Sequence, residues 1–168
     1  MKPQIIVVRL SSRAYRDLRI TTHCCLVARA FGAEKIILSS DSDTNITKTV
    51  QSVTERWGGP FEVEYTSNPL NAIKKLKKEG FTIIHLTMYG ESAINHIKEI
   101  RKNKKIAIII GADKVPASIY QIADYNIGIT NQPHSEVAAL GVFLHECMQG
   151  KEDTQPFTNS KMQIVPSP

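Results

Sequence analysis

Apolar residues along the chain fall into short β-branched runs separated by longer stretches with helical spacing. The runs lie at 4–9 (QIIVVR), 35–39 (KIILS), 61–66 (FEVEYT), 82–87 (TIIHLT), 105–110 (KIAIII) and 125–129 (YNIGI). Such runs are what strands buried in a parallel sheet look like. Between them, periodic stretches near 21–31, 44–57, 69–79, 91–103, 116–123 and 134–149 predict helices. Local chemistry marks their ends. Asn68 can cap a helix that begins at Pro69 and closes at Gly80. Thr21 or Thr22 can cap the first helix, with Gly32 beyond it, and Asp43 the second, which ends at Gly58 and Gly59. The alternation predicts one α/β domain over residues 1–150 with a mainly parallel sheet. The last segment, 151–168 (KEDTQPFTNSKMQIVPSP), is polar and proline-containing, and predicts an extended or partly disordered tail.

The helix at 134–149 stands apart. SEVAALGVFLHECM is apolar on more than one face, beyond an amphipathic stripe, so it needs cover on both sides. That cover is either the rest of its own domain or a second subunit. The polar NQPHS before it is either the cap of a core helix or a ligand loop.

Composition narrows the class. At 168 residues, 42% hydrophobic and 22% charged, the chain is an ordinary globular domain. No apolar stretch is long enough to span a bilayer, and the first apolar run is too short for a secretory signal, which points to a cytoplasmic protein. The three cysteines, Cys24, Cys25 and Cys147, have neither disulfide nor metal-ligand spacing and are read as reduced packing residues; no metal is expected. A net charge of +5 suits an anionic partner if the cations cluster. Of two lysine-rich groups, Lys74–Lys78 fits the solvated face of a helix, and Lys98–Lys105 fits either such a face or an anion-binding surface. The group Arg9, Arg13, Arg16 and Arg19 holds arginines alone, and guanidinium forks suit phosphate or ribose.

Glycine placement carries the functional signal. A dinucleotide fold puts glycines in the turn after its first strand. Here no glycine precedes Gly32, and neither GxGxxG nor a P-loop occurs. Asp41 follows the second strand, as a ribose-binding acid would, but fits a loop or capping acid better. Glycines come late instead, at Gly90, Gly111 and Gly128, after the fourth and fifth strands and within the sixth. They suggest a small-molecule pocket in the C-terminal half.

The blocks RDLRITTHCCLVARAFGA (16–33), IIIGADKVPASIYQIADYNIGITNQPHSEVAALGVFL (108–144) and HLTMYG (85–90) resemble the archaeal tRNA (cytidine(56)-2'-O)-methyltransferase family of the SPOUT superfamily. The resemblance implies a parallel-sheet fold with a C-terminal deep trefoil knot, an S-adenosyl-L-methionine cofactor, a homodimer, and methylation of a T-loop ribose in tRNA. It places the cofactor on three loops: Leu86, Thr87, Met88 and Gly90; Ile110, Gly111, Ala112, Val115 and Pro116; and Ile127, Ile129, Asn131 and Ser135, with Val137 and Ala138 just inside the last helix. It implies an arginine from the first block near the reacting hydroxyl, either Arg19 or Arg29, with His23 as a possible base or hydrogen-bonding partner. A guanidinium stays charged unless its surroundings favour the neutral form, so orienting the hydroxyl and phosphate is the expected role. In the resembled superfamily, asparagine is common two residues after the serine of the last block. Val137 stands there in this chain, leaving Asn131 or Glu136 as polar substitutes. His85, in an apolar strand, is expected to be buried and satisfied. Two other readings fit fewer of these features: a non-catalytic RNA-binding module, and a flavodoxin-like domain with its ligand at the first strand.

Overall fold

A computed structural model describes residues 2–10, 18–40, 42–111 and 114–168. Arg13, Arg16, Asp41 and Ala112 lie outside the described residues. Six strands, β1 (Gln4–Leu10), β2 (Lys35–Ser39), β3 (Glu62–Tyr65), β4 (Thr82–Ser92), β5 (Lys105–Gly111) and β6 (Tyr125–Gly128), form one parallel sheet in the order β3-β2-β1-β5-β4-β6. Helices α1 (Leu18–Ala30), α2 (Thr44–Trp57), α4 (Ala93–Ile100) and α6 (Glu136–Met148) contribute to the core on one face, with Cys24, Cys25, Phe143 and Leu144 among its buried residues. Helices α3 (Pro69–Lys78) and α5 (Ala117–Ile122) cover the other through Ile73, Leu76 and Ile119. Two-sided cover explains why β1 and β5 are buried almost end to end. Burial pushes all three thiols up to about 12, so they stay protonated packing groups.

The expected caps form at two helices. Asp43 accepts from the amides of Asn45 and Ile46, and Asn68 from that of Asn71. Helix α1 begins earlier than Thr21: Thr22 already lies within it, its hydroxyl donating to the Leu18 carbonyl. Strand β4 runs past residue 87 because its end pairs with β6 a second time. Ile127 aligns with Leu86 and again with Glu91, so residues 87–90 bulge around it. Gly90 permits that crossing. A Cβ there would sit 2.6 Å from the Asn126 carbonyl oxygen and 2.6 Å from the Ile127 amide nitrogen, both backbone atoms.

The tail is docked rather than loose. After a 3-10 turn at Lys151–Thr154, Thr158 and Gly59 exchange backbone hydrogen bonds, and the amides of Lys161 and Met162 donate to the Arg56 carbonyl. Arg29 explains the attachment: its guanidinium lies 4.8 Å over the Phe157 ring and donates to the Gly58 carbonyl. A cation on an aromatic face contributes roughly 0.5–2 kcal/mol, more as water is excluded.

Candidate functional site

A cleft of about 760 Å³ opens at the bulge of β4 and the carboxyl ends of β5 and β6. Its apolar walls are Leu86 at the bulge of β4, Ile110 and Ile127 next to last in β5 and β6, and Ile129 just past β6. Thr87, Met88, Gly111, Val115 and Ser135 also line it. The three segments that the resemblance assigned to a cofactor therefore meet at one opening. Five described residues of that assignment do not line it. Gly90 serves the crossing; Asn131 donates from Nδ2 to the carbonyls of Met88 (2.6 Å) and Gly90 (3.3 Å), pinning the bulge. Pro116 precedes α5, and Val137 packs against the core. Ala138 faces solvent beside them and is likewise absent from the wall.

The α6 start is a true capped terminus. Ser135 Oγ accepts from the Val137 amide at 3.2 Å, and Glu136 occupies the first turn, where the helix dipole favours a carboxylate. Glu136 lines the cleft and is held from behind. Arg9, 1% exposed, donates from Nε (3.2 Å) and Nη2 (2.7 Å) to Glu136 Oε1. Arg9 is thus a buried anchor and not the surface phosphate contact that its place in the arginine cluster suggested. Its β-strand register settles this: Arg9 pairs with Ile110 in the middle of the sheet.

The other candidate basic residues separate. Arg19 is exposed near the start of α1, beside Ile20, which lines the cleft. His23 is exposed one turn further on. Arg29 lies ten residues along the same helix, about 15 Å away at 1.5 Å per residue. It is buried against the tail, so the structure gives it a packing role and removes it from the candidates at the reacting hydroxyl.

His85 is buried as expected but only half satisfied. Asn126 donates from Nδ2 to the Tyr120 carbonyl, which turns its Oδ1 toward His85 Nδ1 at 2.8 Å. The hydrogen therefore sits on Nδ1. Nε2 is buried with no hydrogen-bond partner among the described residues, and burial pulls the imidazole below its ordinary 6.5. Tyr89, Lys114 and Tyr120 also stand on the cleft wall, and of these sequence reasoning missed Tyr120. Tyr89 and Lys114 lie inside the first two cofactor loops that the resemblance implies, 86–90 and 110–116. Tyr120, on α5, left no comparable signal. No cluster of metal-ligating side chains occurs among the described residues.

The parallel α/β fold is similar to that of solved SpoU-type methyltransferases. The structure of TrmH/SpoU tRNA modifying enzyme from A. aeolicus superposes with a TM-score of 0.66 at 18% identity, over 92% of this chain and 78% of that one. The SpoU methyltransferase AviRb from Streptomyces viridochromogenes, solved in complex with AdoMet, gives 0.61 at 13%, over 89% and 58%. Sequence relatives are far nearer. The tRNA (cytidine(56)-2'-O)-methyltransferase of Methanosphaera stadtmanae is 51% identical over 164 residues, 97% of this chain and 94% of its own. That of Methanopyrus kandleri is 46% identical over 167 residues, 99% and 94%. The profile of the tRNA ribose 2'-O-methyltransferases (aTrm56) matches residues 57–168, and the chain belongs to that family.

Proposed function

We propose that this chain transfers the methyl group of S-adenosyl-L-methionine to the ribose 2'-hydroxyl of cytidine 56 in the T-loop of tRNA. The observation that carries this is identity near one half, over almost the whole length, with relatives named for that reaction. The cleft fits the donor: its volume is in the range of small-molecule sites, its walls are aliphatic, and His85 Nε2 is a buried acceptor still lacking a donor. Leu86, Ile110, Ile127 and Ile129 would hold the adenine ring, with backbone groups of the three loops at its edges.

The bound cofactor supplies an electrophilic methyl group; the chain supplies positioning and proton handling. Arg19, at the mouth, orients the target hydroxyl and its phosphate, with His23 as the neighbouring hydrogen-bonding group. Glu136, fixed by Arg9, provides the polar wall that Val137 cannot. Two further features belong to this reading. The passage of residues 87–91 across Asn126–Gly128 supports a knotted C-terminal half. Leu18, Ile20 and Val142, exposed on the adjacent helices α1 and α6, support a homodimer formed on that face.

Incubating the protein with labelled S-adenosylmethionine and an unmodified tRNA transcript, then mapping the product, tests the reaction. Label on the 2'-oxygen of nucleotide 56 is expected. Label on a base, or none from folded protein, overturns the assignment.

A further inference from the structure

Tyr89 is 79% exposed although it lines the cleft. A ring so placed contributes little to folding, yet the segment carrying it is closely held. The Tyr89 amide donates to Thr87 Oγ1 at 3.3 Å, and Thr87 Oγ1 also meets the Tyr120 hydroxyl at 3.1 Å. Asn131 clamps the carbonyls on both sides of Tyr89, those of Met88 and Gly90. Gly90 in turn lies against the backbone of Asn126 and Ile127. The fold thus presents an aromatic face on a rigid mount at the mouth of the cleft.

We propose that Tyr89 is a stacking platform for the nucleobase of the nucleotide being methylated. This rests on the ribose-methylation reading above. In a nucleotide the 2'-oxygen is on the carbon next to the one bearing the base, so a ribose brought to the cleft carries its base to the rim. RNA bases taken out of their own stack are commonly received on aromatic side chains. The adenine of the methyl donor does not need this ring, because buried Leu86, Ile110 and Ile127 already wall the cleft. Lys114, exposed on the same wall, adds a cation suited to the flanking phosphate. Because stacking is tolerant of base identity, Tyr89 supplies grip and orientation, while the choice of cytidine lies elsewhere.

The test compares wild type with Tyr89→Ala, Tyr89→Phe and Tyr89→Trp. Methyl transfer to tRNA transcript is measured with S-adenosylmethionine saturating, its binding by calorimetry, and assembly by sedimentation. Loss of one base–aromatic stack predicts that Tyr89→Ala lowers kcat/KM for tRNA about tenfold. Phe and Trp should stay within about threefold of wild type, since both keep a ring face. Donor affinity and assembly state should not change. The inference is overturned if Tyr89→Ala methylates like wild type, if donor affinity falls in step with activity, or if the subunits dissociate. Wild type that neither binds the donor nor methylates tRNA would instead refute the reading on which this rests.

Discussion

Replacing Glu136 by alanine removes the carboxylate that Arg9 meets inside the protein. Arg9 is 1% exposed and the Glu136 side chain 13%, so solvent can scarcely replace the lost partner. Breaking a buried pair from one side costs about 3–5 kcal/mol, because the desolvated charge loses its counter-charge. The residual opening on the Glu136 side, where the cleft admits water, places this case near the lower end, about 3 kcal/mol. For a chain of this size each kcal/mol moves the midpoint by about 2–4 °C, giving a fall of about 6–12 °C in Tm. Urea unfolding should show the loss in the midpoint with the slope unchanged. Two companions sharpen the reasoning. Glu136→Gln keeps an acceptor for the guanidinium and should lose less than the alanine variant. The double replacement Arg9→Met with Glu136→Leu removes both charges and should recover much of the stability while impairing methyl transfer. An alanine variant within 1 kcal/mol of wild type, a figure well below the usual cost of a broken buried pair, would show that the pair is not the anchor described.

Other outcomes follow from the same geometry. Arg19→Ala should abolish most turnover with donor binding retained, whereas Arg29→Ala should lower thermal stability and leave turnover per folded molecule near wild type; steady-state kinetics beside calorimetry decides. Gly90→Ala should prevent folding or cost at least about 1–3 kcal/mol, the usual range for overpacking, since its Cβ meets backbone that cannot yield; the midpoint of urea unfolding and the yield of soluble protein report it. His85 is held below its ordinary 6.5 by burial, so the unfolded chain takes up this proton first as the pH drops. Its contribution to stability is complete above pH 6.5 and declines below it, so wild type should lose more stability than His85→Gln between pH 7.5 and 5.5, a window of roughly one unit on either side of that value.

The strands and helices were legible because each element repeats one pattern. Ile106 to Ile110 could only be a strand covered on both faces, and Asn68-Pro69 could only begin a helix. The cleft's apolar wall was legible through the family blocks, which include Leu86 at the β4 bulge and Ile110 and Ile127 near the ends of β5 and β6. What escaped the sequence depends on contacts between distant segments. Arg9 and Glu136 are 127 positions apart, so although Arg9 ends a buried strand run, its partner could not be read locally. The resemblance left Arg19 and Arg29 both open, because helical spacing does not say which end of α1 faces the cleft. The true partner of Arg29, Phe157, sits in a tail whose composition gave no sign of docking. The half-satisfied state of His85 required knowing how Asn126 is turned, which only the Tyr120 carbonyl fixes.

The structure of the protein crystallised with S-adenosylmethionine is the most direct test of the central claim. Density for the donor should lie between Leu86–Met88, Ile110–Gly111 and Ile129–Ser135, with its methyl group turned toward the mouth near Arg19. Density beyond β1 and β2, with the cleft at β4, β5 and β6 holding only solvent, would contradict the account.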